Sequence, residues 1–225
     1  MDQEATVHYE LREVLRVLSI DFDYIMFPCI KLYNQYCVGK ENDTQIWKKI
    51  FETFDESFLD YDARALEQIF SLIVKNVQNG AQFIPIREHD EIISSLFSLE
   101  NYENLMFDVT NIDFHHDLFY GEHDIAGTKC FNDSTCANWF GYLYVKNRVH
   151  NGTWVKAPNS FPYIFADIEP VEITELSMKD IPNIETDYNY VFFCLSPQWV
   201  PEKFHHLYDM ICHIVEEIQK EQNHD

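Results

Sequence analysis

Two apolar runs of strand length end in acids. Arg16 to Tyr24 (RVLSIDFDY) and Leu105 to His115 (LMFDVTNIDFH) are rich in branched and aromatic residues that favour a buried strand, and each delivers carboxylates near its C-terminal end. A chain that buries such runs must bring the acids to solvent where the strands end or neutralise them with a cation. Around the runs the periodicity is helical. Apolar positions from about Thr44 to Val77, including Ile46, Trp47, Ile50, Leu66, Ile69 and Ile73, predict one long helix that Asn79-Gly80 stops. Gln82 to Ile86 predicts a short strand and Glu91 to Leu99 a helix. Further along, Asn138 to Arg148 predicts a helix, Thr153 to Lys156 and Tyr190 to Leu195 strands, and Pro201 to Gln222 a closing helix.

This alternation predicts an α/β fold with a mostly parallel sheet flanked by helices. A length of 225 residues allows one large domain or two small ones. No linker, repeat or low-complexity tract marks a boundary, so the expectation is a single domain over 1–225.

The charge balance narrows the partners. With 38 Asp and Glu against 16 Lys and Arg, the formal charge is −22. A nucleic-acid partner is not expected, because binding phosphates calls for a basic patch, whereas the acidic field attracts metal ions and arginine-rich peptides. Met1 to Arg12 lacks the apolar core of a secretory signal and the longest apolar run, Tyr190 to Leu195, is too short to span a bilayer, so no membrane partner and a cytoplasmic location are expected. The six cysteines (29, 37, 130, 136, 194 and 212) include no Cys-x-x-Cys pair and read as free thiols, several of them core fillers. The Asn-x-Ser/Thr matches at Asn42, Asn132 and Asn151 carry no weight without a secretory signal.

The densest group of chemically active residues is Asp113-Phe114-His115-His116-Asp117. On a strand, Asp113, His115 and Asp117 would share one face and His116 the other, an arrangement suited to a divalent ion such as manganese, iron or zinc. A solvated acidic turn would carry the same residue types. Asp21 and Asp23 form a second pair two residues apart, which repel each other on a buried strand unless a cation sits between them, or which simply reach solvent at the strand end. His89, in Arg87-Glu88-His89-Asp90-Glu91, is a third element that alone reads as a surface histidine beside acids.

Together these segments, Ser-Ile-Asp-Phe-Asp at 19–23, Glu-His-Asp-Glu at 88–91 and Asn-Ile-Asp-Phe-His-His-Asp at 111–117, resemble the arginase and deacetylase superfamily. They are most similar to its small atypical branch, which includes the peptide arginases. Weaker likeness extends to Ala137-Asn138-Trp139 and Leu195-Ser196-Pro197-Gln198-Trp199, whose aromatics read as core or as a wall of a substrate pocket. The resemblance implies two Mn2+ ions held by Asp21, Asp23, His89, Asp113, His115 and Asp117. Asp113 and Asp21 would bridge the ions, His89 and Asp117 would complete one site, and His115 and Asp23 the other. In ordinary arginases the Asp-x-Asp strand follows the Asp-x-His-x-Asp strand. Here it comes first, which implies an arginase-like sheet with a rearranged strand order.

A zinc deacetylase needs one metal, held by two Asp and one His, while a guanidine hydrolase uses two, so the additional ligands favour the second chemistry. The implied activity is conversion of arginine side chains in a cationic peptide to ornithine with release of urea. A free guanidino compound as substrate, and a non-catalytic acidic metal-binding interaction protein, are the alternatives. His116 and His123 are candidates for proton transfer, since imidazole titrates near neutrality, and Glu122 for holding the guanidinium, with Asp124, Asp167 and Glu169 as other acids. The clustered His205, His206 and His213 on the closing helix are expected at the surface.

Overall fold

In the computed structural model, residues 12–26, 32, 35, 43–54, 59–118, 134–158, 160 and 172–222 are described. Six strands, β1 (Glu13–Asp21), β2 (Gln82–Ile86), β3 (Leu105–Asp113), β4 (Val149–Lys156), β5 (Ile173–Ser177) and β6 (Tyr190–Cys194), form one sheet. Their order is β2-β6-β1-β3-β4-β5 and every pairing is parallel. The helices are α1 (Asp43–Thr53), α2 (Ala63–Gln78), α3 (Glu91–Phe97), α4 (Trp139–Val145) and α5 (His205–Gln222).

Strand alternation splits the core into two layers. Leu18, Ile20, Ile112, Val155, Val191 and Phe193 join the cluster containing Ile50 of α1, Ile69 and Ile73 of α2, and Ile211 and Val215 of α5. Val17, Phe107, Val109 and Phe192 join Ile92 and Leu96 of α3 with Phe140 and Leu143 of α4. With helices covering both faces, the central strands are apolar on both sides, which is why they read as continuous runs. None of the described helices is long and apolar enough to cross a membrane.

The single helix expected over 44–77 is two helices. Asp62 opens α2, its side chain accepting hydrogen bonds from the Arg64 and Ala65 amides at 3.0 and 2.9 Å. Acids preceding an apolar run mark a new helix start, and apolar spacing alone runs across such a break. The helix expected over 138–148 stops at Val145, because Asn147 turns left-handed (φ 53°) and releases the chain into β4, four residues earlier than expected. Strand β5 has no counterpart among the predicted elements. Its sequence, ITELS, lies at the sheet edge with exposed Thr174 and Glu175, so it lacks the apolar run of a buried strand.

From β1 the chain passes to β2 on one flank of the sheet, whereas β3 is followed by β4 on the other flank. The connections leaving the C-terminal ends of β1 and β3 therefore diverge. Between such strands an open parallel sheet leaves a crevice, the usual place for a ligand. Asp21 and Asp113 are the last residues of these two strands.

Candidate metal centre

Strand β1 ends at Asp21, and Phe22–Met26 form a 3-10 turn that carries Asp23. The two acids are therefore not alternate residues of one strand, as the sequence pattern predicts. They converge through a local turn in which the Asp23 amide donates to Asp21 Oδ1 at 2.9 Å. Strand β3 likewise ends at Asp113. The His115 amide donates to Asp113 Oδ1 at 2.8 Å, and Asp117 adopts φ 50°. Two turns at neighbouring strand ends, rather than one pleated face, bring the acids together.

His89 reaches the same point from the turn between β2 and α3 and is 1% exposed. The surface position expected of a lone His beside acids does not hold. Its Nδ1 lies 2.8 Å from Asp117 Oδ2, 3.3 Å from Asp21 Oδ2 and 3.4 Å from Asp113 Oδ2. On the other side of Asp113, His115 Nδ1 lies 3.0 Å from Asp23 Oδ2 and 3.9 Å from Asp113 Oδ1. The result is two donor groups that share Asp113, His89/Asp113/Asp117 and Asp23/Asp113/His115, with a third, Asp21/His89/Cys194, joined to the first through His89. All six ligands implied by the resemblance meet in one place. Asp21 lies on the His89 side, with Oδ1 accepting from the Asp23 amide and Oδ2 from Ser196.

A surrounding set of donors fixes the carboxylates. Ser196 Oγ donates to Asp21 Oδ2 at 2.5 Å, Trp139 Nε1 to Asp117 Oδ2 at 2.8 Å, and Asn111 Nδ2 to Asp113 Oδ2 at 3.2 Å. Ser19 Oγ lies 3.1 Å from His89 Nε2. An ion bound at Nδ1 would leave the ring proton on Nε2, where Ser19 Oγ is placed to accept it. Ser196, like Asp117, holds a left-handed backbone (φ 48°), a conformation that a non-glycine residue keeps only when its surroundings impose it.

Burial shapes the electrostatics. Asp21, Asp23, Asp113 and Asp117 are each at most 3% exposed. Burial pushes Asp21 and Asp113 well above the usual carboxylate range, with the charges of Asp23 and Asp117 respectively adding most to the effect. Asp23 is raised to about 7 by burial and the charge of Asp117, and Asp117 to about 6 by burial. Four carboxyls packed this closely are costly without a cation. Ligand atoms about 2.1 Å from an octahedral ion lie about 3 Å apart, and the 2.8–3.4 Å spacings around His89 Nδ1 match that requirement. The donor chemistry and spacing both fit a divalent ion, and these buried Asp and His clusters can hold one.

The remaining candidates lie elsewhere. His116 is 4% exposed, its Nδ1 accepts the Leu118 amide at 3.1 Å, its ring meets Trp154 edge-on at 5.7 Å, and it belongs to none of these donor groups. His123, Glu122, Asp124, Asp167 and Glu169 lie outside the described residues. Trp139, read from sequence as core or pocket wall, is buried and also holds Asp117, while Trp199 sets its ring 4.6 Å from that of His115. His206 and His213 are exposed and His205 half-buried on α5.

Sequence reasoning missed Ser19, Asn111, Cys194 and Ser196. Ser19 and Asn111 each lie two residues before an acid on the same strand face, which is a readable pattern once the ligands are known. Cys194 and Ser196 enter through the pairing of β6 with β1, which aligns Cys194 with Asp21 and has no trace in local sequence. In comparison with known proteins, no family model, curated protein or solved structure matches the chain.

Proposed function

We propose that this chain is a dimanganese hydrolase that converts arginine side chains within a peptide to ornithine and urea. The observation that carries the reading is the pair of donor groups sharing Asp113, whose Oδ2 faces His89 while Oδ1 faces His115. In this reading His89, Asp113 and Asp117 hold one ion and Asp23, Asp113 and His115 the other, while Asp21, for which the resemblance implies a second bridge, meets the first through His89. When bound, two such ions supply Lewis acidity and lower the pKa of water towards neutrality, the chemistry that guanidine hydrolysis needs. The protein's own residues fix the geometry. Ser196, Trp139 and Asn111 orient the carboxylates, and Ser19 beside Nε2 would hold the His89 proton there once an ion occupies Nδ1, so little reorganisation remains for the reaction.

The guanidinium substrate comes from the resemblance to the peptide arginases, and the charge of −22 suits a cationic peptide. Trp199, half-buried against His115, offers an aromatic face on which a guanidinium can stack. Glu122 is the proposed guanidinium-binding acid. Of the two imidazoles considered for proton transfer, His116 has Nδ1 engaged and stands outside both donor groups, so the role passes to His123.

Metal analysis together with urea release from an arginine-containing peptide tests the reading. Two equivalents of manganese and equimolar urea and ornithine are expected. Urea from free arginine or agmatine alone would move the substrate to a small guanidino compound. Absence of both metal and urea would contradict the proposal and leave an acidic interaction protein.

A further inference from the structure

We propose that Cys194 is a further ligand in the His89 half of the centre and lets that half hold a thiophilic divalent ion, zinc or a zinc-like ion, more tightly than the His115 half does, while still admitting manganese. The inference rests on the dimetal reading and adds a sulfur ligand to one half of it. Cys194 ends β6 and is paired in register with Asp21 of β1 on one side and Ile86 of β2 on the other. Its sulfur, a carboxylate oxygen of Asp21 and a ring nitrogen of His89 all lie within 4.8 Å of one another. The side chain is 0% exposed.

A buried cysteine is ordinarily a small apolar filler, and Cys194 does pack against the apolar cluster of α3 and α4. Its sulfur, however, meets polar groups. The thiol donates to the Arg87 carbonyl at 3.4 Å and lies 3.4 Å from Ser196 Oγ, the hydroxyl that itself donates to Asp21. Cys194 therefore sits where β1, β2 and β6 all deliver donors: Asp21 from the end of β1, His89 from the turn after β2, and its own sulfur from β6. In the other half, Asp23, Asp113 and His115 supply only oxygen and imidazole donors.

This difference has a chemical consequence. Carboxylates suit manganese, whereas a thiolate selects zinc and its relatives. Asp21, His89 and Cys194 together offer one O, one N and one S donor, ligand types that zinc accepts. On coordination a sulfur–metal bond forms, the thiol proton leaves to solvent, and no oxidation state changes.

Cobalt is the probe, because thiolate bound to Co2+ adds a near-ultraviolet charge-transfer absorption that oxygen and nitrogen ligands do not give. Metal-free protein titrated with cobalt is expected to take up two equivalents and develop this absorption. Cys194→Ser is expected to lose the absorption while still binding cobalt, with zinc affinity falling by at least about tenfold and manganese affinity changing less than about threefold. Should Cys194→Ser fail to fold, X-ray absorption on wild-type protein with one equivalent of zinc is expected to show a sulfur neighbour at about 2.3 Å. Two equivalents of cobalt without the absorption, an absorption unchanged in Cys194→Ser, or zinc without a sulfur neighbour would overturn the ligand role and leave the dimetal reading standing. Fewer than two equivalents in wild-type protein would overturn both.

Discussion

The two halves of the centre share Asp113 but are built differently. Around His89, 1% exposed, the side chains of Asp21, Asp113 and Asp117 converge, and Ser19, Ser196 and Trp139 hold ligands from behind. Around His115 there are Asp23 and Asp113, and the imidazole, its side chain 15% exposed, rests against half-buried Trp199. The first half is made like a core, its carboxylates Asp21, Asp117 and Asp113 held by hydrogen bonds from Ser196, Trp139 and Asn111. The second is made from two turns and an aromatic side chain and has an open side. The difference teaches that one half is sealed from solvent and the other is accessible, which in the proposed dimetal reading assigns ion retention to the first and substrate contact to the second.

The largest expected effect removes what the halves share. Asp113→Asn takes a charge from both groups, so metal content should fall from two equivalents towards none and urea release by at least about 100-fold. Wild-type stoichiometry and rate in this variant would refute the shared role. Next, the single-histidine variants separate the halves. His115→Ala should keep one tightly held ion, while His89→Ala should lose the tight ion and show the larger fall in metal-dependent melting temperature, readable by metal analysis and calorimetry. Equal losses in the two variants would erase the asymmetry.

A smaller effect follows from supports. Ser196→Ala leaves Asp21 Oδ2 without its hydroxyl donor and should weaken metal binding about 10- to 100-fold, with little change in the His115 half. Titration of metal affinity in that variant measures it directly.

Acidity provides a further test. The four acids have raised pKa values in the folded protein, Asp23 to about 7 and Asp117 to about 6, so the metal-free folded state retains protons that the unfolded chain has lost above about pH 4. Stability of the metal-free protein must then fall as pH rises from about 4 to 7. In chelator the melting temperature should be higher at pH 5 than at pH 8. Added metal should stabilise more at pH 8, because bound ions take the place of the protons. A metal-free protein more stable at pH 8 would contradict this electrostatic account. The smallest effect is expected of His116→Ala, which should keep both ions and lose stability by about 1–3 kcal/mol through the buried ring and its bond to the Leu118 amide.

The sequence made one part of this centre legible and hid the other. Asp21, Asp113, His115 and Asp117 stand in short runs after apolar strands, so their approach could be read, although by strand alternation where turns in fact do the work. The β-α-β order announced the parallel sheet because its central strands are buried on both faces. Strand β5 stayed hidden because an exposed edge strand needs no apolar run, and the break between α1 and α2 because helical spacing continues on both sides of Asp62. Cys194 and Ser196 were out of reach for another reason. Their relation to Asp21 is set by the pairing of β6 with β1, a contact across more than 170 residues.

Anomalous scattering from a crystal grown with manganese tests the central claim most directly, since it locates ions independently of activity. The account predicts two peaks, one at about 2.2 Å from Asp113 Oδ2 and His89 Nδ1 and the other at about 2.2 Å from Asp113 Oδ1 and His115 Nδ1. A single peak, or peaks that leave Asp113 outside bonding distance of either ion, would contradict it.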